Sequence, residues 1–211
     1  MLKKIQLLIL LLIFPLLLKA QSTRVLFKTD YGKFIVMLYD FTPVHKQLFL
    51  QHIKNGTYRN ALINRIVKDF VVQGGEHDIA IASKEKAQGY LEPRIPPEFD
   101  ERAYHKIGAL GAGRDDNPQK ASFINQIYFV VGKKYSEEAF DSLAHKYNKT
   151  FTPERRAYYI QHGGLPRLDD DYTVFGEIVE GMDVLMKISQ LPVDAQHFPL
   201  KKVKFKVKIL K

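Results

Sequence analysis

Residues Ala61 to Gly75 read ALINRIVKDFVVQGG, and this stretch decides the fold. Leu62 to Val67 is a strand-like run with one arginine, Arg65, set inside it. After the polar break at Lys68-Asp69, Phe70 to Gln73 forms a second strand piece that ends on Gly74-Gly75. A cation among β-branched residues is costly to bury unless something pairs with it. Arg65 therefore either faces solvent or is held for a purpose.

Upstream, Arg24 to Thr29 reads as a strand, Asp30-Tyr31-Gly32 as a turn, and Lys33 to Tyr39 as the hairpin partner. Thr42 as cap and Pro43 at the first helical position predict a helix over Pro43 to Lys54. Val44, Leu48, Phe49 and Ile53 recur along it at helical spacing, and Asn55-Gly56 stops it. Downstream, the turn-rich stretch from Glu76 to His105, with Pro93, Pro96 and Pro97, reads as loop with at most short strands. Ile107 to Gly113 is small and apolar, Arg114 to Pro118 is a loop, and Phe123 to Val131 (FINQIYFVV) is the strongest strand.

Gly132 to Gly164 changes character. Ser136 can cap a helix over Glu137 to Lys146, and Thr152-Pro153 opens another that stops at Gly163-Gly164. This reads as a helical insertion at about 133–163 between strands. Tyr172 to Val179 then reads as a strand and Met182 to Ser189 as a helix. Val203 to Leu210 alternates strictly, apolar residues one way and Lys204, Lys206 and Lys208 the other, as in a half-buried strand. Many strands with two main helices predict an antiparallel barrel or sandwich closed by helices.

The chain has 211 residues, no cysteine and a net charge of +9. Thiol redox chemistry and cysteine metal sites are excluded. The lysines are dispersed apart from the C-terminal end, and basic residues are not interleaved with aromatics, which argues against a nucleic-acid binder. The histidines show no ligand spacing, Asp169-Asp170-Asp171 reads as a charged turn, and no metal or other cofactor is expected. Met1 to Ser22 has Lys3-Lys4, then the apolar run Ile5 to Leu18, then Ala20 at a plausible cleavage point. This is the layout of a secretory signal peptide. The expectation is a leader over residues 1–20, one domain over 21–211, export to a periplasm, and no stable membrane insertion after cleavage.

From about Val25 to Leu210, apart from the helical insertion, the chain resembles the cyclophilin family of peptidyl-prolyl isomerases. The motifs that carry the likeness are Ile63-Asn64-Arg65, Asp69-Phe70 with Gln73-Gly74-Gly75, Asn125-Gln126-Ile127-Tyr128, and Leu168-Asp169 through Val174-Phe175-Gly176. The resemblance implies a mainly β fold, a closed eight-stranded antiparallel barrel capped by two helices. It implies Arg65 and Gln126 as catalytic residues. It implies Phe70, Val71, Gln73, Gly113, Arg114, Tyr128, Leu168 and Tyr172 as the substrate-binding surface, and proline-containing polypeptides as partners. The chain departs from the family pattern at Ile63-Asn64 (usually Phe-His), Val71 (commonly Met), Gly113-Arg114 (usually Ala-Asn or Ala-Arg), Tyr172 (commonly His) and Arg167 (Trp in many members). The activity implied is peptidyl-prolyl isomerisation assisting exported proteins. The alternative is a weakly catalytic module or chaperone that holds proline segments in the same groove.

The chemistry asked of these residues is simple. Rotation about an Xaa-Pro bond breaks amide resonance, over a barrier of ~18–20 kcal/mol. In the twisted state the prolyl nitrogen regains its lone pair, and a donor aimed at that nitrogen bonds only then. Arg65, permanently charged with a rigid fork, suits that role.

Overall fold

The computed structural model describes residues 22–210; the leader expected over residues 1–20 lies outside them. Eight strands close into one antiparallel barrel: β1 (Arg24–Thr29), β2 (Gly32–Leu38), β3 (Ala61–Val67), β4 (Val71–Gly75), β5 (Ala109–Ala112), β6 (Gln126–Val130), β7 (Val174–Glu180) and β8 (Val203–Ile209). Their order around the barrel is β1-β2-β7-β5-β6-β4-β3-β8. Closure leaves no edge strand. The barrel expected from the family resemblance is therefore present, and the sandwich is excluded.

Among the described residues five α-helices surround it: α1 (Pro43–Lys54), α2 (Asp78–Gln88), α3 (Glu137–Lys146), α4 (Pro153–His162) and α5 (Met182–Ser189). None of the described helices is long and apolar enough to cross a membrane. Helix α5 buries Val184, Leu185 and Ile188, and α1 buries His45 and Phe49. Both join the interior cluster built on Phe27, Phe34, Phe129 and Phe205. Phe27 stacks on Phe34 with centroids 4.8 Å apart and meets Phe129 edge-on at 5.2 Å. Each such buried ring contributes roughly 1.5–3 kcal/mol of transfer free energy.

Two expectations need correction. The stretch from Glu76 to His105 is not all loop, because it contains α2. His77 caps it through its ring, accepting from the Ile79 amide at 3.2 Å, and Gly89 ends it in the left-handed region at φ 76°. Histidine is an uncommon cap, so the start carries no strong sequence signal. Thr42 does not cap α1 with its side chain. The Glu98 carboxylate does so instead, accepting from the Val44 and His45 amides at 2.9 and 2.8 Å. Asp169 to Asp171 do form the charged turn expected, but within it Asp169 is 1 % exposed.

Strand β6 shows why the run after Gln126, IYFVV, lacks polar alternation. Ile127 and Phe129 point into the barrel, whereas Tyr128 and Val130 join a second cluster on its outside with Val71, Leu165, Leu168 and Val174. Both faces are covered, so no polar alternation is required. Helices α3 and α4 occupy the segment expected to be helical, with Ser136 and Thr152 capping them through their hydroxyls. The segment is pinned at its base by bridges from Lys106 and Lys133 to Gly164. Gly164 has φ 143°, and a Cβ there would lie 2.6 Å from the Tyr159 ring, so only glycine fits.

Candidate active site

The site starts from an irregularity in β3. Ile63 pairs with Gly74 and Arg65 with Gln73, so Asn64 is one residue too many for the β4 side of the ladder. Such a bulge reverses the facing of the residues beyond it. Ile63 and Ile66 both enter the core, and Arg65 turns outward onto the face of Gln73. The Asn64 amide ties the bulge down by donating to the Gly75 carbonyl at 2.8 Å. Arg65 Nη1 donates to Gln73 Oε1 at 3.2 Å, and its guanidinium carbon lies 5.8 Å from the Phe70 ring centroid. The cation is thus held half-buried between an amide and a ring.

A cavity of about 200 Å³ opens beside it. It is lined by Arg65, Phe70, Val71, Gln73, Gly113, Arg114, Gln126, Tyr128, Leu168 and Tyr172, with Asp78 as the eleventh residue. All ten residues singled out in the sequence are brought together here. The sequence carries no signal for Asp78, which sits in the first turn of α2, where the turn-rich composition reads as loop.

Register explains the convergence. Gln73 pairs with Tyr128 and Gly75 with Gln126 across β4 and β6, which places their outward side chains side by side. The Gln126 amide donates to the Asp78 carboxylate and, at 3.2 Å, to the Glu76 carbonyl. Gly113 packs against the Gln126 side-chain carbonyl so closely that a Cβ there would overlap it. On the other wall Arg114 Nε donates to the Asp171 carbonyl at 2.7 Å, and its guanidinium carbon stacks 4.5 Å from the Tyr172 ring centroid. Burial opposes ionisation of the Asp171 carboxyl, but hydrogen bonds from Lys120 and Lys149 outweigh it and hold the group below its usual range.

The floor is made by Phe70, Val71, Tyr128 and Leu168. Tyr128 lies on Gly111, where a Cβ would come within 2.6 Å of the ring. Behind it runs a buried polar chain. His105 Nε2 is 2.7 Å from the Tyr128 hydroxyl and Nδ1 is 2.7 Å from Asp169 Oδ1, while Tyr159 donates to the same carboxylate at 2.8 Å. Burial pushes the Tyr128 phenol well above its ordinary value, so it remains a neutral donor. Arg167 lies outside this cavity, with its guanidinium carbon 4.6 Å from the centroid of the Phe70 ring.

At about 200 Å³ the cavity is smaller than the roughly 300–1,000 Å³ of sites for larger ligands, and suits a single side chain with its flanking backbone. An apolar floor beneath a rim of arginine and amides favours a bound peptide group as it loses planarity and dipole. The site thus combines a held guanidinium, side-chain amides and an apolar floor on a closed antiparallel barrel.

Comparison with known proteins makes this specific. A model of the family described as cyclophilin type peptidyl-prolyl cis-trans isomerase/CLD matches residues 24–209, and the chain belongs to that family. It is 32% identical over 164 residues to a Staphylococcus saprophyticus protein named "Putative peptidyl-prolyl cis-trans isomerase", covering 78% of this chain and 79% of that one. A Staphylococcus epidermidis protein of the same name is 30% identical over 181 residues, covering 84% and 86%. The crystal structure of a Cryptosporidium parvum cyclophilin type peptidyl-prolyl cis-trans isomerase superposes with a TM-score of 0.63 at 18% identity, covering 90% of this chain and 98% of that one. A further structure of that protein, in the presence of the dipeptide Ala-Pro, gives 0.62 at 19% identity and covers 89% and 99%. The protein is a peptidyl-prolyl cis-trans isomerase of the cyclophilin type.

Proposed function

We infer that the cavity receives the proline of an Xaa-Pro segment, that Arg65 stabilises the twisted amide, and that the protein acts on exported polypeptides. The observation that carries the catalytic part is the Arg65 guanidinium held by Gln73 at 3.2 Å on the edge of an apolar floor. Its remaining N–H groups are available to the prolyl nitrogen. A charge-assisted hydrogen bond made only at the twisted state is worth ~1.5–3 kcal/mol. At ~1.36 kcal/mol per decade this is roughly ten- to a hundredfold in rate. Phe70, Val71, Tyr128 and Leu168 supply the rest by favouring the less dipolar form. Gln73, Arg114 and Gln126 hold the flanking backbone.

Export is supported by the basic and apolar layout of residues 1–20 and by the absence of cysteine. N-terminal sequencing of the protein from a periplasmic extract tests it: Gln21 at the start is the expected result, and retention of Met1 on a cytoplasmic protein overturns it.

A second reading is a groove that holds proline segments without turning them over. It is favoured by the Gln126–Asp78 hydrogen bond, which engages the Gln126 amide within the protein itself. One experiment separates the two. In a protease-coupled assay on a short Xaa-Pro peptide, wild type accelerates exchange and Arg65→Ala loses about ten- to a hundredfold of that rate. Equal rates for the two proteins sink the role given to Arg65. Binding without acceleration by wild type favours the holding module.

A further inference from the structure

A second groove, of about 420 Å³, adjoins the catalytic cavity and shares Phe70 with it. Its walls come from the turn after β3, from the start and flank of α3, and from the residues before Leu168. The lining is apolar at Leu143, Leu165 and Tyr147, and three cations, Lys133, Lys146 and Arg167, stand around it against one carboxylate, Asp69.

These cations differ from their neighbours. Lys149 is paired with Asp171, Arg155 with Asp169, and Arg156 with both Glu137 and Asp141. Among the described residues Lys133, Lys146 and Arg167 pair with no carboxylate and rest only against rings. Lys133 Nζ is 5.7 Å from the centroid of Tyr135, Lys146 Nζ 5.5 Å from that of Tyr147, and the Arg167 guanidinium 4.6 Å from that of Phe70. Three like charges around one concave, partly apolar surface raise its potential and attract an anion.

We propose that this groove is an extension of the substrate site that selects an acidic side chain close in sequence to the isomerised proline. The proposal rests on the isomerase reading of the neighbouring cavity. The cavity and the groove share Phe70, so an extended chain, which advances about 3.3 Å per residue, passes over that ring from one into the other within a few residues. There a Glu or Asp side chain meets the three cations while an apolar neighbour covers Leu143 and Tyr147. Substrates carrying lysine at that position are repelled.

The test uses mature protein and a set of equal-length Xaa-Pro peptides, with Glu, Ala or Lys placed two or three residues before or after the proline. Isomerisation rates and fluorescence-anisotropy binding are read for each. The expected result is that, on one flank, Glu exceeds Ala by about three- to tenfold in kcat/KM, mainly through KM, and Lys falls below Ala. The preference shrinks in high salt, where the Debye length drops to ~3 Å. The Glu/Ala ratio falls to about one in the exposed double variant Lys133→Gln/Lys146→Gln and is kept in Lys133→Arg/Lys146→Arg. Glu, Ala and Lys peptides turned over at the same rate on both flanks overturn the groove and leave the isomerase reading standing. No turnover of any peptide overturns the isomerase reading instead. Binding then decides the groove: a Glu preference lost in the Gln variant upholds it, and equal binding of all peptides sinks it.

Discussion

The Tyr128 hydroxyl lies 2.7 Å from His105 Nε2, and both residues are buried. Asp169 accepts from the other ring nitrogen at 2.7 Å, which assigns the proton to Nδ1 and makes Nε2 the acceptor of the phenol. A wall of the candidate site is thereby fixed from behind by a hydrogen-bond chain. That chain reaches α4 through Tyr159 and Arg155.

Removing the phenol while keeping the ring isolates this link. Tyr128→Phe leaves the buried His105 Nε2 without a donor, which costs about 1–3 kcal/mol. Urea unfolding of the variant beside wild type checks the value, and an unchanged midpoint contradicts the link. Asp169→Ala strands His105, Tyr159 and Arg155 together, and is expected to cost about 3–5 kcal/mol in the same measurement.

Gly113 governs Gln126 rather than the fold. A methyl at position 113 overlaps the buried Gln126 side chain from Cγ to Oε1, so that side chain must move and leave Asp78. Gly113→Ala is therefore expected to lower kcat/KM by no more than about tenfold, since alanine is the usual family residue here, with little change in melting temperature. A large fall in melting temperature with normal turnover refutes this account.

Acid weakens the structure through His45. Burial lowers its pKa below the ordinary value, against the opposing hydrogen bond and charge of Glu98. The unfolded chain then binds the proton more readily than the folded one, so the stability from neutral His45 is complete above the unfolded value of ~6.5 and is lost as pH falls below it. Denaturation midpoints measured between neutral and mildly acid pH are expected to decline, and His45→Gln is expected to flatten the decline.

The outer face of β8 carries unfavourable charge. Lys28 pairs across the sheet with both Lys33 and Lys206, and Lys208, Lys33 and Lys206 all depress its pKa. Like charges directly opposite each other destabilise a sheet. Lys206→Glu is expected to raise the melting temperature, less so at high salt. A lower melting temperature at low salt argues against repulsion as the cause.

The places of the longer strands along the chain, the bounds of α1, α3 and α5, and the family motifs are legible in the sequence, because prolines, caps and apolar period are local signals. The short β5 was legible only as a small apolar stretch, since four buried residues have no period to show. Helix α2 was hidden behind an uncommon cap and a proline-rich flank. Asp78, the cavity residue it carries, was hidden with it.

What the sequence alone determined was the set of residue types the reaction needs and their order along the chain. It could not show which way Arg65 points. Period-two alternation puts Ile63 and Arg65 on one face, and only the extra residue at Asn64, forced by pairing with β4, separates them. The same holds for Glu98 capping a helix from more than fifty residues away, and for Asp169 leaving solvent to hold His105. Each is a contact between distant segments, and its energy exists only once the barrel has closed and excluded water from the groups that meet there.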